Sequence, residues 1–179
     1  TAGNGMEVRE SVEVLAGGGR ADVVELTVAL AREMLAAAGK DDVDPAEALA
    51  DGRAMDVWRA MIAAQGGDPD ADLPVAQETE QVTAESDGVL TRLDAMQVGV
   101  AAWRLGAGRA RREDPVQAAA GVEMHAKPGD TVRAGQPLMT LHTDTPERFA
   151  RAQEALAGAW EITDGSAYAP TPLIIDRIS

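Results

Sequence analysis

Few side chains in this sequence are equipped for chemistry, and their neighbours narrow them further. There is no cysteine, which removes thiolate catalysis, disulfides and cysteine-based zinc together. His125, on a predicted strand, and His142, at a strand end, have no nucleophile beside them in sequence. Both read as structural or surface groups, since a general base is defined by what it can reach as well as by its pKa. Asp68-Pro69-Asp70-Ala71-Asp72 has the acid density of a calcium loop but lacks the glycine and terminal glutamate of an EF-hand. It reads as exposed linker. Gly3-Asn4-Gly5 reads as a turn whose residues tolerate positive φ, opening a helix that carries Glu7 and Glu10. Such a turn can hold an anion through backbone N–H groups, but two carboxylates there repel phosphate. Glu10 is the second acid of that helix. Taken from the residues alone, it is a solvated helix residue paired with a neighbour. Arg109, Arg111 and Arg112 cluster, and Glu113 and Asp114 follow at once, so a solvated, locally neutralised loop is expected. Trp58, Trp103 and Trp160 fall on apolar faces and are expected in the core.

The formal charge of −14, from 30 acidic and 16 basic residues, argues against a nucleic-acid partner, which needs a basic face. No window reaches the roughly 18 continuous apolar residues that mark a membrane helix, so no membrane partner is expected. The lack of cysteine fits a cytoplasmic protein. A chain of 179 residues can bury one sizeable core or two small ones.

The elements that must position these residues divide the chain in two. Residues 1–73 read as helical. An opening helix with Met6, Val8, Val12, Val14 and Leu15 closes at Gly17-Gly18-Gly19. Asp22 is an N-cap candidate for a second helix with the stripe Val23, Val24, Leu26, Leu30, Met34 and Leu35, stopped at Gly39. Asp44-Pro45 starts a short helix with proline in its favoured first-turn place. Ala54 to Gln65 forms another, ended by Gly66-Gly67-Asp68-Pro69. Residues 74–179 read as a small α+β domain. Strands are predicted at 82–84, 88–93, 121–125, 131–132, 137–141, 160–162 and 173–175, with helices from Ala95 to about Leu105, capped by Asp94, and from Thr145-Pro146 to about Gly158. The fold class is α+β, a helical first half followed by a mixed domain.

Within that domain, Gly129-Asp130-Thr131-Val132-Arg133-Ala134-Gly135-Gln136-Pro137-Leu138 resembles the biotinyl/lipoyl carrier pattern, which implies a barrel-sandwich-like hairpin. A carrier needs a lysine on the next exposed turn. The residues there are His142-Thr143-Asp144-Thr145-Pro146, and Lys127 precedes the motif, so attachment is not expected. A non-catalytic barrel-sandwich or interaction module is the alternative reading.

A wider resemblance covers most of the chain. Ala2-Gly3-Asn4, Glu7-Val8-Arg9-Glu10, Met61-Ile62-Ala63-Ala64-Gln65-Gly66-Gly67-Asp68-Pro69, Leu105-Gly106-Ala107-Gly108-Arg109 and Lys127-Pro128-Gly129-Asp130-Thr131-Val132 follow one another as in the thymidine phosphorylase and pyrimidine-nucleoside phosphorylase family. Arg177-Ile178-Ser179 looks like a family ending. The resemblance implies reversible phosphorolysis of a pyrimidine deoxyribonucleoside, with phosphate and nucleoside as partners and a homodimer as the assembly. It places the chain in the C-terminal part of such an enzyme: 1–73 as a helical remainder of an α/β domain, 74–179 as the C-terminal domain. The phosphate-binding segment with Lys-His-Ser-Thr, and the base-reading Arg, Ser and Lys, would then precede Thr1. No catalytic or substrate-binding residue is assigned within 1–179, and the chain alone is expected to be inactive. The chemistry needs no cofactor, but the resemblance implies a monovalent cation, potassium, held by the Glu10 carboxylate and the Thr1 carbonyl. Oxygen donors with one negative charge suit a hard, singly charged ion. The family's other carbonyl donors are missing here.

Overall fold

A computed structural model describes residues 1–166 and 168–178; Ser179, the last residue of the family-like terminus, lies outside the described residues. They form two compact units: Thr1–Val8 with Leu73–Pro170, and Arg9–Asp72 with the residues from Thr171 on. Among the described residues no helix is long and apolar enough to cross a membrane.

The unit of Arg9–Asp72 is helical. Strand β1 (Ala2–Gly3) leads through Asn4 into helix α1 (Gly5–Leu15), which runs into this unit and is followed by α2 (Ala21–Ala37), α3 (Pro45–Ala50) and α4 (Arg53–Ala64). Asp44 caps α3 as expected, its carboxylate accepting from the Ala46 N–H at 3.0 Å. That bond, with Arg32 beside it, holds the Asp44 carboxyl below the ordinary carboxylate range. Asp22 does not cap α2. The helix begins one residue before it, and its carboxylate binds the Arg20 guanidinium at 3.2 Å and the Val23 N–H at 3.0 Å. The apolar stripe of α2 is present but little of it is covered: Val28 is buried, whereas Leu30 is 57% exposed and Met34 73%. The strand expected at Leu173–Ile175 does not form. These residues belong to a unit whose described elements are helices, so no strand edge is offered to them, and all three are exposed.

The other unit carries the sheets. Strands β2 (Glu78–Thr83), β4 (Gly121–Met124) and β6 (Pro137–Thr143) join β1 in an antiparallel sheet of order β1-β4-β6-β2. Strands β3 (Gly88–Leu93), β5 (Thr131–Val132) and β7 (Trp160–Thr163) form a second sheet of order β5-β3-β7. The segment read as a hairpin therefore does not pair with itself: β5 joins β3, and β6 joins β2 and β4. Gly135, at φ +80°, turns the chain from one sheet to the other. Helices α5 (Ala95–Ala102) and α6 (Phe149–Leu156) complete the unit. Asp94 caps α5 through the Gln97 N–H at 2.9 Å.

The core of this unit is continuous. Leu90, Val98, Leu105, Val122, Val132, Leu138, Met139, Leu141 and Leu156 are all buried. Strand β6 does not alternate between buried and exposed: Leu138, Met139, Thr140 and Leu141 are buried in succession, so both its faces are covered. Beyond α5 the chain winds into a wide π turn, Trp103–Ala107, and leaves it at Gly106 with φ +119°. A side chain at Gly106 would strike Gln117, whose Cδ lies 2.9 Å from the place a Cβ would take.

Gln117 ties this corner together. Its Oε1 accepts from the Thr143 hydroxyl at 3.0 Å and the Asp144 N–H at 2.9 Å, while its Nε2 donates to the Thr145 hydroxyl at 2.7 Å. Thr143 is fully buried, and its one hydroxyl proton is shared between Gln117 and the Leu105 carbonyl, the closer of the two at 2.7 Å. Replacing Gln117 by Leu takes the partner from the Asp144 N–H and the Thr145 hydroxyl and leaves the Thr143 hydroxyl to Leu105 alone. We expect a loss of about 2 kcal/mol in urea unfolding, since each stranded buried group costs roughly 1–3 kcal/mol and some partners reach water. An unchanged midpoint would show that the corner is held by its backbone alone.

Candidate functional site

The opening motif is built by close backbone approach. Ala2 and Gly3 pair with Val122 and Gly121 across the β1–β4 ladder. A Cβ on Gly3 would stand 2.8 Å from the Ala120 carbonyl oxygen, and one on Gly5 2.9 Å from that of Ala118. The Gly5 N–H donates to this Ala118 oxygen at 2.8 Å. Asn4 reaches the Ala107 carbonyl with its side-chain amide at 2.6 Å, fastening the turn to the loop after α5. None of Gly3, Asn4 and Gly5 takes a positive φ. Conformational freedom, the reason the sequence suggests for these residues, is therefore not what the turn uses. Gly3 lets β1 lie against the start of β4, Gly5 lets the start of α1 approach the turn at Ala118, and the asparagine makes a long-range bond.

The two glutamates of the motif are separated by one helical turn. Glu7 accepts the Gly3 N–H at 2.8 Å, closing the strand-to-helix junction much as a capping box does. Glu10 lies on α1 and is half-buried, and Thr1 opens the chain just ahead of β1. Two oxygen donors are far short of a complete cation shell. Among the described residues no group of three or more His, Asp or Glu side chains is placed to hold a metal ion. A cation here would need most of its ligands from elsewhere.

The remaining candidates have structural explanations. His125 holds the Thr140 hydroxyl with Nε2 at 2.7 Å, and its backbone N–H donates to Leu138, so it fastens β4 to β6. His142 lies opposite Gly121 on the same ladder, its Nε2 3.5 Å from the Glu123 carboxylate. Asp68 accepts the Asp70 N–H at 2.9 Å, and Asp70 lies 3.8 Å from the Arg59 guanidinium, so this acidic linker is partly spent on local turns. Arg111 holds Asp114 at 2.9 Å and keeps its carboxyl below the ordinary range, as the neutralised-loop reading expects. Trp160 packs against the core, but Trp103 is 41% exposed and does not belong to it. Trp103 has ordinary helical backbone, φ −60° and ψ −45°, and falls off the face that buries Val98, Ala101, Ala102 and Leu105.

Sequence reasoning misses one grouping. Trp103, Arg104, Arg109, Arg148 and Arg151 line a single cavity although they span 49 positions, which local patterning cannot reveal. The only sequence signal is Arg148 and Arg151, spaced i and i+3 at the start of α6 and therefore on one helix face.

Comparison with known proteins agrees with the scaffold. Residues 89–163 match the pyrimidine nucleoside phosphorylase C-terminal domain. This stretch holds β3 to β7 with α5 and α6. Over 178 residues, 99% of this chain, the sequence is 54% identical to the thymidine phosphorylase of Mycobacterium tuberculosis strain H37Rv. Over 187 aligned residues it is 34% identical to the pyrimidine-nucleoside phosphorylase of Bacillus subtilis strain 168, with 98% of this chain covered. In both cases the chain spans 42% of the relative's length. Nothing favours the carrier-module reading, whose turn lacks the lysine. With the turn, the sheets and the match over nearly the whole of this chain in agreement, the chain belongs to the thymidine phosphorylase and pyrimidine-nucleoside phosphorylase family, in whose C-terminal part it falls.

Proposed function

We propose that these residues act as part of a thymidine phosphorylase, a pentosyltransferase that splits thymidine with phosphate into thymine and 2-deoxyribose 1-phosphate, reversibly. The observation that carries this is the 54% identity over 178 residues to a protein of that name. In such a reaction phosphate oxygen attacks the anomeric carbon as the bond to the base nitrogen breaks, and positive charge builds on the sugar between them. Catalysis then depends on holding phosphate in line and stabilising the departing base anion. The described residues contribute scaffold to this work: the two-sheet unit with its continuous core, and the β1–Asn4–α1 junction sewn to Ala107, Ala118 and Gly121. We place phosphate and base recognition outside these 179 residues. A homodimer, a cytoplasmic setting and a potassium ion shared by the Glu10 carboxylate and the Thr1 carbonyl complete the reading, on the strength of the family resemblance.

A chimera tests this. The matched 178 residues of the Mycobacterium tuberculosis enzyme are replaced by the corresponding residues of this chain. The expected result is thymine release that requires phosphate, within about tenfold of the parent, a difference of roughly 1.4 kcal/mol in the barrier. A chimera that folds but releases no thymine would contradict the proposal.

A further inference from the structure

On the unit of two sheets, the π turn after α5, the loop that follows it and the start of α6 line a half-open cavity of about 380 Å³. That volume lies in the range that holds small organic ligands. Its wall is strongly basic in a chain whose formal charge is −14. Four guanidinium groups line it: Arg104, Arg109, Arg148 and Arg151. Arg104 is tied to the Arg151 carbonyl at 2.7 Å and has Glu154 at 3.4 Å. The other three make no ion pair among the described residues. Arg109 donates to the Arg112 carbonyl at 3.1 Å and Arg148 leans on that of Arg104 at 3.5 Å, neutral partners that orient a charge without cancelling it. The one acid on the wall, Asp114, is taken by Arg111 at 2.9 Å.

The cavity also has a flat apolar wall. Trp103 is 41% exposed, and its ring lies against Gly108, where a Cβ would meet the indole Cδ1 at 2.6 Å. Glycine at 108 therefore leaves room for the Cδ1 edge of the ring, which any side chain there would displace. Guanidinium groups match phosphate oxygens with paired N–H donors, and an indole face offers stacking to a planar group.

We propose that this cavity binds an organic phosphomonoester, with its phosphate among Arg109, Arg148 and Arg151 and its planar ring against Trp103.

Phenyl phosphate is the probe, titrated into the 179-residue chain while tryptophan fluorescence and heat are recorded. Saturable quenching with a midpoint below about 1 mM is expected, and inorganic phosphate should bind about tenfold more weakly because it lacks the ring. Thymidine, which has a ring and no phosphate, should give no saturation. Arg151→Glu, at an exposed position, should weaken phenyl phosphate by at least about tenfold with an unchanged thermal midpoint. Trp103→Phe should abolish the quenching but keep a measurable heat. No saturation by about 10 mM, equal binding in Arg151→Glu, or equal affinity for phosphate with and without the ring would each overturn the proposal.

Discussion

Gly121→Val should destabilise the protein by about 3 kcal/mol, although strand propensity alone points the other way. Valine favours strands over glycine by up to about 1 kcal/mol, and Gly121 opens β4 in a regular antiparallel ladder. The local space decides the sign. A Cβ at this position would lie 2.5 Å from the Ala2 carbonyl oxygen, 2.9 Å from the Met6 sulfur and 3.1 Å from the Gly3 Cα. Two of these three obstacles are backbone, which cannot turn aside as a side chain can. Overpacking of this kind typically costs about 1–3 kcal/mol, and β1 is only two residues long. We therefore expect β1 to leave β4 and expose Met6, which is 6% exposed in the native fold. Urea unfolding gives the loss in stability. Hydrogen exchange at Gly5, whose N–H is held by Ala118, shows where it occurs. A variant as stable as the parent, with Gly5 still protected, would refute the close-approach explanation of the opening motif.

Leu141→Ala should cost a similar amount by the opposite defect. Leu141 is fully buried in the middle of β6, opposite Glu80 on one neighbouring strand and Val122 on the other. The strand is central and covered on both faces, so its backbone has little freedom to close over a cavity. Leucine-to-alanine changes at such positions cost about 2–5 kcal/mol, and we expect about 3–4. Met34→Ala, on the exposed face of α2, serves as the contrast and should move stability by less than about 0.5 kcal/mol. If both variants unfolded at the same denaturant concentration, the core would not be where the structure puts it.

The parts of the fold legible in the sequence are those set by local chemistry. Asp44-Pro45 and Asp94 announce helix starts because a carboxylate two or three residues ahead of an N–H has only one good use there. Strand β3 is readable in full, since Gly88–Leu93 alternates and begins at a glycine. Strand β2 is visible only at its end. Glu78–Gln81 is polar and mostly exposed because β2 is an edge strand paired on one side alone, so no apolar signal marks it. At Leu173–Ile175 the error runs the other way: an apolar β-branched run with no partner strand does not become a strand.

The same division runs through the candidate site. The Gly-Asn-Gly motif is recognisable, but the reason for its glycines is not, because the atoms they avoid belong to residues 118–121. The role of Gln117 is invisible for a related reason: its partners at 143, 144 and 145 lie across the fold. The basic cavity around Trp103 brings that ring together with Arg148 and Arg151 from a different element, and no local spacing announces such a meeting.

The central claim is that these residues form the scaffold of a phosphorylase and hold none of its chemistry. It is tested most directly by assaying the purified chain, its intact mass confirmed near 18.7 kDa, for phosphate-dependent cleavage of thymidine. The account predicts a folded protein that releases no thymine. Thymine release at that mass, abolished when phosphate is left out, would place a catalytic site inside these residues and contradict it.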